Sequence, residues 1–218
     1  MDNRRLHILV EGQTEDILVD ALFAPHLERH GWWVYWSVLP SKRVIGGQDH
    51  RGGVTSWAKI EREIRRLLDD RGLTVTMLFD YYGFPDDAPG MADRPAGTAT
   101  KQVEHVQAAL AEKIGDRRFR PNLVLHETEA WVFAAADELG ELRGVAELTA
   151  RLRADCAEAG GPELVNSTRE RAPSKRLLAY LPDYAKLNDG PLAICELGLP
   201  KLRAACPHMD GWLSGLEG

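Results

Sequence analysis

Three carboxylates stand where a short apolar run stops and a turn begins. Glu11 follows Leu6-His7-Ile8-Leu9-Val10, Asp80 follows Leu73-Thr74-Val75-Thr76-Met77-Leu78-Phe79, and Glu127 follows Leu123-Val124-Leu125-His126. Runs this brief and this rich in branched residues read as buried strands. In an open α/β sheet, ligands bind just outside the carboxyl ends of the strands, so an acid at each end is a candidate for chemistry. With few histidines and no cysteine among them, such acids form a hard oxygen-donor set suited to Mg2+ or Mn2+ rather than zinc. These ions most often serve phosphate chemistry, where they polarise a phosphoryl oxygen, activate water and neutralise developing charge. A glutamate beside the ion can carry the proton.

The elements that must position these acids alternate. Gly12 lets the chain turn sharply after the first strand, and Thr14 is expected to accept from the first free amides of the helix that follows. That helix runs from Thr14 to His30 with Ile17, Leu18, Ala21, Leu22 and Leu27 at helical spacing, and Pro25 is expected to kink or divide it. Trp32 to Val38 reads as a second strand, and Val54 to Asp70 as an amphipathic helix built on Trp57, Ile60, Ile64, Leu67 and Leu68. Between them, Pro40 to Gly53 carries Lys42, Arg43, Arg51 and four glycines without periodicity, which reads as a cationic loop, either solvated or phosphate-binding. A helix from Thr98 to Ile114 and a short fourth strand from Arg120 to His126 follow, and a helix begins at Glu127. Asp86 and Asp87 fall in the turn-forming stretch after the third strand.

Strand alternating with helix predicts a parallel sheet of about four strands flanked by helices. Its right-handed crossovers bring the strand carboxyl ends, and with them Glu11, Asp80 and Glu127, to one edge. Beyond about Gly144 only short helical pieces are expected. We therefore expect an α/β domain over 1–143 and a helical extension over 144–218 packed on it, the two being separable or one single domain. The chain has 218 residues, 44% hydrophobic and 28% charged, with a net charge of -6, which is no generic basic nucleic-acid footprint. No apolar run reaches the length of a membrane span, and the charged start resembles no secretory signal, so a cytoplasmic protein with no membrane association is expected. Cys156, Cys195 and Cys206 are odd in number and far apart, consistent with structural thiols.

Four motifs, in order, resemble the bacterial family DUF4276: Glu11-Gly12-Gln13-Thr14-Glu15, Asp80-Tyr81-Tyr82-Gly83-Phe84-Pro85, His126-Glu127-Thr128-Glu129-Ala130-Trp131 and Pro173-Ser174-Lys175-Arg176. That family is similar to the TOPRIM superfamily of primases, topoisomerases and OLD-type nucleases. The resemblance implies a TOPRIM/Rossmann-like fold and Mg2+-dependent (or Mn2+-dependent) phosphodiester hydrolysis of DNA or RNA. It also implies an ABC- or AAA-type ATPase as partner in bacterial anti-phage defence. It places Glu11 as general acid/base or metal ligand and Asp80 as the first aspartate of a D-x-D metal motif. Tyr82 occupies the second aspartate's position, a departure from the pattern. Glu127 or Glu129 could supply the missing oxygen ligand, although a glutamate opening a helix also suits the helix dipole. His126 could contact phosphate or be a satisfied structural residue. Ser174, Lys175 and Arg176 could hold a nucleic-acid backbone, or Ser174 could simply open a helix. The rival expectation is a non-catalytic module in which Tyr82 has removed metal binding, leaving it to dock on an ATPase or sense a ligand.

Overall fold

The computed structural model describes residues 4–40, 56–166 and 171–218; most of the cationic loop after Pro40 lies outside them. The described chain is a mixed α/β fold. The strands β1 (Arg4–Val10), β2 (Trp32–Val38) and β3 (Leu73–Asp80) are joined by two short pairings, β4 (Phe119–Arg120) and β5 (Leu123–Val124). All pair in parallel in the order β2-β1-β3-β4, and β5 continues the ladder along β3 with Asp80 opposite Val124. The fourth strand expected over 120–126 is thus split in two. Pro121 has no amide to give the ladder, which resumes only at Leu123.

The first helix starts at Gln13, earlier than Thr14. Gly12 is its N-cap, and the Glu15 carboxylate reaches back to accept from the Gly12 amide at 3.0 Å, so Glu15 and not Thr14 caps the turn. Helix α1 (Gln13–Leu18) passes through a π-helical turn at Val19–Phe23 into α2 (Ala24–Arg29). The Ala24 amide bonds back to Val19 O, five residues away, immediately before Pro25, which has no amide to continue an ordinary ladder. The proline therefore shifts the hydrogen-bond register and does not divide the helix.

Two apolar cores lie on the two faces of the sheet. One gathers Leu9, Val75, Met77 and Phe79 under α3 (Trp57–Leu68) and α4 (Ala99–Ile114). Thr98 opens α4 by accepting from Lys101 N at 3.3 Å, and Gly115 closes it in the left-handed region. The other core gathers Leu6, Ile8, Val10, Phe23 and Trp131 with Leu177, Ile194, Leu202 and Leu213. Its helices are α1, α2, α5 (Ala130–Ala134), α6 (Ala136–Arg143), α7 (Ala146–Ala159), α8 (Pro173–Tyr180), α9 (Asp189–Leu197), α10 (Leu199–Ala205) and α11 (Pro207–Glu217). The C-terminal helices are packed on the same strand face as α1 and α2. Among the described residues, no helix is long and apolar enough to cross a membrane.

Candidate active site

The parallel register sets the carboxyl ends of β1 and β3 side by side. Val10 lies opposite Leu78, and the Glu11 amide donates to Leu78 O at 3.2 Å. Glu11 and Asp80 therefore leave neighbouring strands at the same edge. The Asp80 amide donates to Glu11 Oε2 at 3.1 Å, fixing that carboxylate over the strand end. After β5 the chain turns back across this edge. Tyr81 N donates to Val124 O at 3.1 Å and Tyr82 N to His126 O at 3.0 Å. His126 makes the turn with φ 63°, among the described residues the one non-glycine in the left-handed region, a strain of the kind stored at functional sites.

That turn delivers Thr128 between the acids. Its amide donates to Asp80 Oδ1 at 2.7 Å, and its hydroxyl lies 2.8 Å from the same oxygen and 2.7 Å from Glu15 Oε1. A hydroxyl has one proton to give, so only one of these carboxylates can receive it while both are ionised. Glu15 is 4% exposed and Glu129 only 1%. Glu15 therefore reaches the site from α1 while also capping its own helix.

Four carboxylates thus converge: Glu11, Glu15, Asp80 and Glu129. Lys186 answers them, with Nζ 2.8 Å from Glu129 Oε1. Oε1 is thus engaged by the ammonium, while Oε2 is buried with no hydrogen-bond partner among the described residues. Lys186 sits in the turn between α8 and α9. Asp189 Oδ2 pins that turn by accepting from Ala185 N at 2.8 Å and from Arg143 Nη1 at 2.6 Å. Tyr184 packs over Gly190, where a Cβ would meet its hydroxyl.

Electrostatics follow from this crowding. Burial first, then the Glu15 carboxylate, push Glu11 up to about 7 against the opposing Asp80 amide and Lys186. Burial and then Glu15, Glu11 and Glu129 hold Asp80 well above the ordinary aspartate range. Burial raises Glu129 too, against the pull of Lys186. For Lys186 burial acts downward, yet Glu129 and Asp80 outweigh it and keep the ammonium above the usual lysine range. Without another cation, the site holds protons that an isolated carboxylate would have released.

A divalent ion fits this donor set. The donors are oxygens, Glu129 Oε2 is unsatisfied, and Gly83 leaves open a space where a Cβ would come within 3.3 Å of Glu11 Oε1. The acids do not bring three oxygens within 4.8 Å of one another, so an ion here would take one or two carboxylates and complete its shell with water, as Mg2+ commonly does. Glu11 and Asp80 are best placed to hold it, with Glu129 behind them.

The other expected site residues are placed differently. Glu127 Oε2 accepts from Ser174 N at 3.0 Å, so these two tie the start of α8 to the β5–α5 turn. Arg176 pairs with Asp155 at 2.7 Å where both side chains are largely buried, and Tyr180 donates to the same carboxylate. Lys175 is exposed beside them. His126 is 5% exposed, has its ring centroid 4.9 Å from that of Tyr82 at a tilt of 53°, has Nδ1 3.3 Å from Asn166 Nδ2, and is drawn by burial down to about 4, so it is neutral at pH 7. Asp87 accepts from Trp57 N at 2.9 Å, starting α3. Sequence reasoning missed Glu15, Thr128 and Lys186 as site residues; for Glu15 the available signal was a glutamate three residues after the Gly12 turn, which reads only as a capping residue.

Residues 10–217 match the family model described as "Domain of unknown function (DUF4276)", and the chain belongs to that family. No curated protein matches. Among solved structures, the C-terminal region of the Burkholderia pseudomallei OLD protein is similar at 15% identity and TM-score 0.47, over 100% of both chains.

Proposed function

We propose that this member of the DUF4276 family is a Mg2+- or Mn2+-dependent phosphodiesterase acting on DNA or RNA. The observation that carries the reading is the convergence of Glu11, Glu15, Asp80 and Glu129 on one sheet edge, with Glu129 Oε2 buried and without a hydrogen bond. A concentration of buried acids with perturbed protonation, at the edge where α/β sheets bind ligands, is the physical mark of a working site. The bound metal would polarise the phosphoryl oxygen and offset its charge. Glu11, raised to about 7, is poised to take a proton from an attacking water and return it to the leaving oxygen. Asp80, held by Thr128, is the fixed carboxylate of the pair. Lys186 presents its ammonium on the same side and balances charge where Tyr82 offers no second carboxylate. Lys175, exposed on α8, is the candidate backbone contact. An ABC- or AAA-type ATPase partner and a role in anti-phage defence belong to the same proposal.

Purified protein, with and without its neighbouring ATPase, is expected to cut nucleic acid only when Mg2+ or Mn2+ is present. Glu11→Gln and Asp80→Asn should each lower the rate by at least about 100-fold, the usual contribution of a positioned proton carrier. No cutting under any of these conditions, or cutting that survives both substitutions, rejects the assignment. One observation favours a second reading, a non-catalytic module: the Lys186–Glu129 ion pair already meets one acid with a cation. Titration calorimetry separates the two, because the module should bind neither metal, whereas the enzyme should bind metal through Asp80.

A further inference from the structure

We propose a second metal site, at the other end of the α1–α2 helical run from Glu15, in which His26, His30 and Glu217 bind a zinc-class ion that clips α2 to the end of α11. One ligand atom from each of the three lies within 4.8 Å of the others. His26 and His30 are one helical turn apart at the end of α2, with ring centroids 4.4 Å apart. His26 Nε2 lies 2.6 Å from Glu217 Oε1. Two imidazoles and one carboxylate form a donor set of borderline softness, which zinc accepts with water as a fourth ligand. The acidic edge offers only oxygens, so the two sites should sort different ions.

The second shell is already built. His30 Nδ1 lies 2.9 Å from His26 O, so a proton on Nδ1 leaves Nε2 free to ligate, the arrangement that orients most metal-bound histidines. Arg203 shares the ligand oxygen: its Nη1 pairs with Glu217 Oε1, its Nη2 with Oε2, and it also donates to Asp210 Oδ1 at 2.5 Å and Ser214 Oγ at 2.9 Å, partners that can keep the guanidinium when an ion takes Oε1. Its Nη1 also lies 3.3 Å from His26 Nε2, so its charge opposes a cation. Arg4 stands by as well, donating to His30 O at 2.7 Å, so Asp210 and Glu217 offset two guanidiniums and the site rests on its donor atoms rather than on net charge. In the metal-free arrangement a proton lies between His26 Nε2 and Glu217 Oε1. The metal ion would take that proton's place, the pair opening from 2.6 Å toward the roughly 3.4 Å that ~2.1 Å tetrahedral bonds require. His30 is exposed and can turn inward to close the third bond. The seam it would clip is one where the two ends of the chain already meet: Arg4 donates to Gly218 O at 3.0 Å and Trp32 Nε1 to Leu216 O at 2.6 Å.

The test is equilibrium dialysis of tag-free, chelator-treated full-length protein against Zn2+ with excess Mg2+ present, followed by the visible absorption of the Co2+-loaded form. We expect one zinc per chain, a Co2+ band of four-coordinate type, and unchanged binding in Asp80→Asn. His30→Ala should bind zinc at least about 10-fold more weakly, the smallest loss seen even when a ligand's own supporting partner is removed. Because His30 is exposed, that variant keeps its fold, which circular dichroism checks; Glu217→Gln should behave alike. Wild-type affinity in His30→Ala, loss of binding in Asp80→Asn instead, or no stoichiometric zinc in the wild type each overturns the proposal.

Discussion

At the scale of single residues, the site is a set of acids placed closer together than their charges favour. Glu11 shows the sign of the pH dependence that these acids contribute. The folded protein keeps its proton up to about pH 7, whereas the unfolded chain releases it near 4.5, so the folded state binds more protons across that window. Stability therefore falls as pH rises from 4.5 to 7, by on the order of 3 kcal/mol from this group alone, and Asp80 acts in the same direction. Asp70 and Asp116, held low by their arginines, act only below this window, whereas His126, drawn by burial down to about 4, and His7, also lowered by burial, act in the opposite direction as the pH rises to 6.5. In metal-free protein the wild-type melting midpoint should therefore lose ground to that of Glu11→Gln between pH 5 and pH 8, a comparison in which the histidines cancel. A difference between the two midpoints that stays constant from pH 5 to pH 8 would show that these acids are not crowded as described. Lys186 supplies the converse case. Replacing it with Met leaves Glu129, 1% exposed, without its cation. The loss should be about 2 to 3 kcal/mol at pH 8, below the full cost of breaking a buried pair because half of the lysine side chain is in solvent. Adding Glu129→Gln should restore most of it, a coupling that a double-mutant cycle by urea denaturation measures directly.

At the scale of elements, helix α8 decides which cations face a ligand. Arg176 is committed to Asp155 and Tyr180, and Ser174 N to Glu127, so the helix is fastened by two residues that the motif Pro173-Ser174-Lys175-Arg176 offered as substrate contacts. Arg176→Ala should accordingly destabilise the protein by about 3 kcal/mol, while Lys175→Ala should change stability by no more than about 0.5 kcal/mol. If Lys175 meets a phosphate, its removal should instead weaken nucleic-acid binding and lower the salt-dependence slope by about 1. Equal, small effects of both substitutions on stability would mean that α8 is not anchored through Arg176. The strands and helices were legible because periodicity reports burial directly: Trp57, Ile60, Ile64, Leu67 and Leu68 can only form one face of one helix. Glu11 and Asp80 were legible because an acid that ends an apolar run has one place to go. Lys186 was not, since it lies in an aperiodic turn and meets Glu129 only through the fold. Glu15 reads in sequence as an ordinary first-turn acid, and only its burial makes it part of the site. The role of Arg176 was hidden for the same reason: its partner Asp155 lies on another helix, and no local pattern records that pairing.

At the scale of the whole molecule, the boundary near residue 143 marks a change of sequence pattern rather than a gap in the core. Leu6, Ile8, Val10, Phe23 and Trp32 from the sheet side are buried in the same cluster as Leu177, Ile194, Leu202, Met209 and Leu213 from the helical side. Removing residues 144–218 would bare that strand face, and each large side chain so exposed costs about 1.5 to 3 kcal/mol. Five such residues already approach the 5 to 15 kcal/mol by which a typical domain is stable. The cut would also remove Lys186, leaving the four acids without the cation that opposes them, so the loss in packing and the loss in electrostatics fall on the same fragment. The expectation is that the full chain unfolds in one cooperative step, with coincident near- and far-ultraviolet transitions, and that a fragment of residues 1–143 is unfolded or aggregated at any pH. A fragment with a native-like spectrum and a sharp melting transition would instead make the helical part a separate unit laid over a finished core.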